Sequence, residues 1–456
     1  MENYTLLKRL KDEVHGFFEE AARASEPVYL VLLSLYVAIY YMLKIAWAPG
    51  VSRVAEMVRY GILGIVMWGA AAYLFFIIAA WKDLWRKNVP LIATGLVLIA
   101  VTGIFSAKMS TNVYGVVMDA YFCLMAYKKD YRKMLLCLLG VGTAMLLLAG
   151  IGMAAGITMD LEKPLNVSPG HSLGIIYPNT WGYLAFLVML ITWYLFLRRK
   201  WLITFLLFWS VSVFMYFYVS CRTITGFSVL FPFLAAAVDR METKVRAAAG
   251  KDEEGKKKAG RRIAECLVTG IPFIAFAAML FVSLQVEWVH KHFYPTPLLN
   301  FAMRFVQGGL YFRTYGFPLI GNPYRSNQIT YVNVNGVFEK VGILDSSFAA
   351  YIIMRGMIWL FCTLLWLCFA HWRALKKKDY AIPLLESFIL LFAMMERPGL
   401  EMWYNFVMLY PLAKVIGTAA EEKTEAPAEL KEADEPEETA EPEGTEEPEE
   451  TAEPVN

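Results

Sequence analysis

The feature that most constrains this chain is the recurrence of apolar runs about 16 to 25 residues long, mostly free of charge and separated by polar turns. At helical rise such runs match a hydrocarbon core roughly 30 Å thick, where a backbone must satisfy its own hydrogen bonds. Ten-residue stretches of alternating polarity are absent, so a barrel is excluded and an all-α, polytopic transmembrane helical bundle is predicted. With 58% hydrophobic and only 18% charged residues in a chain of 456, a soluble fold is excluded as well.

The apolar pattern places spans near 28–45, 60–81, 89–106, 112–127, 134–156, 176–197, 201–220, 223–238, 264–286, 346–370, 380–395 and 402–417, about twelve helices in all. The chain therefore divides into an arm over 1–27, nine spans over 28–286 with a basic loop over 239–262, a long polar segment over 287–345, three spans over 346–417 and a tail over 418–456. If the amino terminus is cytoplasmic, the dense basic clusters all fall on one side: Lys82, Arg86 and Lys87; Lys128, Lys129, Arg132 and Lys133; Arg198 to Lys200; Arg240 to Arg262; Arg373 and Lys376 to Lys378. The positive-inside rule then predicts both termini inside and the 287–345 segment extracytoplasmic.

The ends read as accessory. Leu6, Leu10, Val14, Phe17 and Ala21 lie at helical spacing, as in an amphipathic helix on a lipid surface or a merely solvated lead-in. No cleavable signal is expected, because the first apolar run follows a charged arm. From Glu421 the chain is Glu, Pro, Thr and Ala, with near repeats at 435–439 and 447–451. That composition predicts a disordered acidic cytoplasmic tail.

Cys123, Cys137, Cys266, Cys362 and Cys368 lie in or beside apolar runs, Cys221 sits at an outer edge, and none has metal-site spacing. Gly150, Gly152 and Gly156 follow no strand and read as helix-packing positions. No phosphate-binding Gly-Lys-Ser/Thr segment is present. No metal, cofactor or nucleic-acid partner is expected.

The chemistry-bearing residues gather at the predicted outer ends of the helices. They are His171, Tyr177 to Gly182 with Asn179, Ser220 to Thr223 with Arg222, then Glu287, His290, His292, Arg304, Arg313, Arg325 and Asp345, and finally Glu396, Arg397 and Glu401. Several arginines aimed at one place suit a phosphate or pyrophosphate, because the guanidinium fork keeps its charge and binds oxyanions through two parallel hydrogen bonds.

At these residues the chain resembles a family. His171-Ser172-Leu173-Gly174-Ile175-Ile176-Tyr177-Pro178-Asn179-Thr180-Trp181-Gly182 is similar to a helix start of the O-antigen polymerase and O-antigen ligase-like membrane proteins, and Cys221-Arg222-Thr223 to a later Ser-Arg-Thr element. Asn300 to Arg304, Tyr315 to Gly321, Gly342 to Phe348 and Met395-Glu396 follow in the family's order. Tyr177 stands where a His often precedes Pro-Asn, and Cys221 where Ser is usual. The resemblance implies a metal-independent glycosyltransferase of the bacterial cytoplasmic membrane. It would move an undecaprenyl-pyrophosphate-linked glycan onto another lipid-linked repeat unit, beside other polysaccharide-assembly proteins. Arg222 and Arg304, with Arg313, Arg325 and Asn179, would then hold the pyrophosphate and glycan, and Glu396, Asp345, His290 or His292 would accept the proton.

Each residue also has a structural reading. Arg304 lies with Phe301 and Phe305 at helical spacing and fits a short interfacial helix. Asp345 and Asn179 could cap helices, Glu396 could pair with Arg397, and the two histidines could be surface residues. Transfer of finished glycan to a different acceptor shares the same donor. A flippase or transporter is the competing class.

Overall fold

The protein is described by a computed structural model over residues 25–80, 113–161, 171–247, 255–293, 299–321, 329–332, 338–341 and 345–415. The expected amphipathic arm, the 89–106 span, Arg325 and the acidic tail lie outside the described residues.

The chain is almost wholly helical. In order come α1 (Ser25–Met42), α2 (Pro49–Ala80), α3 (Val113–Met125), α4 (Tyr131–Ala154), α5 (Pro178–Leu197), α6 (Trp201–Val219), α7 (Arg222–Ala247), α8 (Gly255–Thr269), α9 (Ile271–Leu284), α10 (Val286–Phe293) and α11 (Leu299–Tyr315). A two-stranded antiparallel ladder follows, β1 (Ile329–Val332) with β2 (Phe338–Val341), then α12 (Ser347–Arg355), α13 (Met357–Lys376) and α14 (Ala381–Met395). Among the described residues six helices are long and apolar enough to cross a membrane: α1, α4, α5, α6, the Arg222–Val245 part of α7, and α13. A seventh arises if α8 and α9, bent by 56° where Gly270 and Pro272 interrupt the helix, form one span. These are the helices of a membrane protein.

Contacts sort the helix termini into two ends. At one, Asp130 caps α4 by accepting from the Arg132 and Lys133 amides, the backbone around Asp130 pairs with that of Lys414, and Lys129 donates to Ser25. Arg198 at the end of α5 pairs there with Asp379 at 3.2 Å and with Glu242. This is the basic end. At the other, the α1 exit bridges the α4–α5 connection through Ile45–Ile175 and Trp47–Thr158, and the His171 amide bonds the Tyr218 carbonyl at the α6 terminus. The α9 terminus lies at that end too, since a Cβ on Gly309 of α11 would meet the Ser283 carbonyl and Arg304 of α11 lies within electrostatic range of Cys221, just past the α6 terminus. We call it the far end.

Three expectations change. The 346–370 span is broken at Gly356, where φ is +92° and the 316–321 segment crosses: the Met357 amide bonds the Pro318 carbonyl at 2.8 Å and the Ile358 amide bonds that of Leu319 at 3.2 Å. The 287–345 segment is no plain polar loop, because α10 and α11 occupy much of it, and Ala302, Phe305, Val306 and Tyr311 are buried at helical spacing. Among the described residues, 402–415 form no α-helix. The chain instead returns from Glu396 to Lys414 as an irregular strap with two short 3-10 turns, over Arg397–Leu400 and Phe406–Leu409, buried nearly throughout.

Irregular backbone is tolerated at membrane depth only where protein satisfies its polar groups. Here side chains do so. Trp366 donates to the Met408 carbonyl at 2.8 Å, Arg373 to those of Tyr410, Pro411 and Ala413, and Tyr351 to that of Leu400.

Gly356→Ala is expected to destabilise the protein by about 2–4 kcal/mol, since it adds backbone strain and a methyl beside a carbonyl. A Cβ there would lie 2.3 Å from the Leu319 oxygen. An unchanged thermal midpoint of the purified protein would contradict this.

Candidate functional site at the far end

Arg304 lies in the first half of α11, whose apolar face is buried and so holds the guanidinium at one place. One of its terminal nitrogens pairs with the Asp345 carboxylate, and the other bonds Glu396 Oε1 at 3.2 Å. Asp345 enters from the segment before α12, and Glu396 from the extended residue that ends α14. Ser347 staples these elements together: its hydroxyl donates to the Glu396 carbonyl at 2.5 Å and accepts from the Gly399 amide at 2.9 Å. The three charged side chains are 21%, 23% and 12% exposed, so the cluster is enclosed yet reachable.

The two other motif pieces meet beside it. Gly182 of α5 abuts Cys221 so closely that a Cβ would stand 2.5 Å from the sulfur, and Cys221 lies within electrostatic range of both Glu396 and Arg304. Arg222, the first residue of α7, is exposed and carries no ion pair among the described residues. Asn179 is half-buried in the first turn of α5; Tyr177 occupies the capping position and makes no side-chain cap, so Asn179 does not cap. Likewise Ser346, not Asp345, precedes α12 at the cap position, and the Asp345 carboxylate is taken by Arg304. Glu396 pairs with Arg304.

The expected convergence of arginines does not extend to Arg313. It forms a bidentate pair with Glu287 of α10, with one contact at 2.8 Å. His290 is buried on the same helix, while His292 is exposed, with Nδ1 2.9 Å from the Trp288 carbonyl and its ring against that indole. Arg313 holds the Glu287 carboxyl down at about 2.

A carboxyl lowered on folding contributes stability that is complete above its unfolded value near 4.5 and is lost as pH falls through about 2. The pair is 47% and 73% exposed, so that contribution stays under about 1 kcal/mol. A carbon-detected titration should give the low midpoint in the native protein and an ordinary one, about 4.3, in Arg313→Gln. Identical midpoints in the two proteins would refute the assignment.

Three further polar groups centre on residues that the sequence motifs do not single out, Arg355 with Asp119, Glu386, and Asp160; of the residues singled out there only Glu401 and His171 join them. Arg355 ends α12 between Glu401 at 3.4 Å and Asp119 of α3 at 3.9 Å, with its guanidinium 4.2 Å from the Tyr351 ring centre. Tyr36 donates to Asp119 at 2.7 Å, and Trp403 to Glu401 at 2.5 Å. Glu386 of α14 is fully buried beside Asn405 of the strap. The available signal was a charge within an apolar run, which is costly enough in a membrane to mark function or a paired network.

The third is Asp160, whose carboxylate accepts from the Ser172 and Leu173 amides and meets His171 Nδ1 at 2.6 Å. Burial alone would raise its pKa, but these partners outweigh that and leave it lowered. The His171 ring stacks on Tyr218 at 4.5 Å, so the α4–α5 connection is fastened to the α6 terminus.

Among the described residues no three His, Cys, Asp or Glu side chains group as a metal site. No family model, no curated protein and no solved structure matches this chain.

Proposed function

We propose that this protein is a glycan polymerase of the bacterial cytoplasmic membrane, acting at its far end on an undecaprenyl-pyrophosphate-linked oligosaccharide. The observation that carries the reading is the meeting of Arg304, Asp345 and Glu396 from three separate elements, next to the Gly182–Cys221 contact and the exposed Arg222. Arg304, Asp345 and Glu396, from elements with no local reason to be adjacent, form one partly open polar cluster.

The charge balance refines the roles. Two carboxylates already match the Arg304 guanidinium, so the unengaged cation of Arg222 takes the pyrophosphate, and Arg304 holds the acids in place. Glu396, joined to Arg304 through one oxygen, accepts the proton of the acceptor hydroxyl. The hydroxyl oxygen bonds to the anomeric carbon as the carbon–oxygen bond to pyrophosphate breaks, and undecaprenyl pyrophosphate leaves with that electron pair. Asp345 orients Arg304.

Both termini cytoplasmic and the 287–345 segment outside, with the strap in place of a last helical span, complete this reading. Its support is the basic end, where Lys129, Arg198, Arg373 and Lys414 gather.

A flippase is the second reading, favoured by the Asp119–Arg355–Glu401 set at membrane depth. Purified protein supplied with lipid-linked repeat units separates the two. A polymerase yields a ladder of chain lengths and releases undecaprenyl pyrophosphate; a flippase leaves the units single.

A further inference from the structure

Glu386 stands on α14 roughly 8 Å along the helix axis from Ala381, inside the apolar layer and facing the strap. It is 0% exposed. Asn405, also 0% exposed, donates its amide nitrogen to Glu386 Oε1 at 3.1 Å and to the Gly399 carbonyl at 3.2 Å. Glu386 Oε2 has no hydrogen-bond partner among the described residues. The ionisable groups within its electrostatic range are Tyr131 of α4 and Cys368 of α13, neither of them a cation.

A carboxylate in this position would keep a full charge out of water with one neutral amide as its whole support. Buried acids without a cation or several donors take up a proton instead. The other fully buried acids among the described residues each pair with an arginine, Asp119 with Arg355 and both Glu242 and Asp379 with Arg198; Glu386 has none.

We infer that Glu386 is a proton-binding site within the membrane layer: it is held as the neutral acid, with the proton on Oε2, and Asn405, which donates to Oε1, fixes which oxygen carries it. This site is independent of the glycan chemistry proposed above.

The test is infrared spectroscopy of the purified full-length protein at neutral pH. The difference between native protein and Glu386→Gln should show the carbonyl stretch of a neutral carboxylic acid, shifted in heavy water. Loss of the paired bands of an ionised carboxylate instead would overturn the assignment. Should Glu386→Gln not accumulate, Asn405→Ala serves: the same band must move when Oε1 loses its donor, and an unmoved band overturns the proposal.

Discussion

Arg304→Ala is expected to lower the rate of chain extension by about a hundredfold or more, the effect of removing a fixed cation from a reacting site. The same change should lower stability by about 2 kcal/mol, less than the roughly 3–5 kcal/mol of a fully buried pair, because the cluster is partly open. Asp345 and Glu396 would face each other without their shared guanidinium. Arg304→Lys separates the effects. An ammonium retains the charge but cannot bridge two carboxylates through a planar fork, so stability should largely return while activity does not. Chain-length ladders from cells holding normal amounts of each variant read the first effect, and thermal midpoints read the second. Long chains of unchanged length in Arg304→Ala would remove this residue from the reaction.

The largest effect on stability is expected at Arg355. Arg355→Met leaves Asp119, 3% exposed, and Glu401, 18% exposed, without their cation, which costs about 3–5 kcal/mol for a buried set. That is a large part of the about 5–15 kcal/mol that holds a typical domain folded. The charge origin of the loss is testable by adding Asp119→Asn and Glu401→Gln to Arg355→Met. Replacing a whole buried ion set with neutral groups is often close to neutral, so the triple variant should recover most of the midpoint lost by the single one. A triple variant as unstable as Arg355→Met would assign the loss to packing on Tyr351, whose ring lies under the guanidinium.

What could be read in advance divides along physical lines. Apolar runs of membrane length predict α1, α4, α5, α6 and α13 because burial in lipid leaves a compositional trace. Arg304 falls on a helix as the spacing of Phe301 and Phe305 implies. Its partners could not be read, since Glu396 lies 92 residues away and periodicity says nothing about which helix ends meet.

The strap departs from the expected helix for a related reason. Residues 402–417 are apolar like a span, and the difference lies in Trp366, Arg373 and Tyr351, donors from other helices that make a helix unnecessary there. Gly356 shows the same limit, because the chain that breaks its helix arrives from 316–321. Asp119, Arg355 and Glu386 were visible as charges in apolar surroundings. Their cost in lipid points to a network, but only the fold pairs the first two and leaves the third with an amide.

The central claim is that the Arg304 cluster works on the outer side of the membrane, and the side can be measured directly. Lys291→Cys puts a thiol at an exposed position of α10, next to the cluster's helix, while the native Cys266 of α8 is exposed toward the basic end. A membrane-impermeant maleimide applied to intact spheroplasts should label position 291 and leave Cys266 unlabelled until the membrane is opened. Labelling of Cys266 alone in sealed spheroplasts would place the cluster in the cytosol, where no outward lipid-linked glycan can reach it.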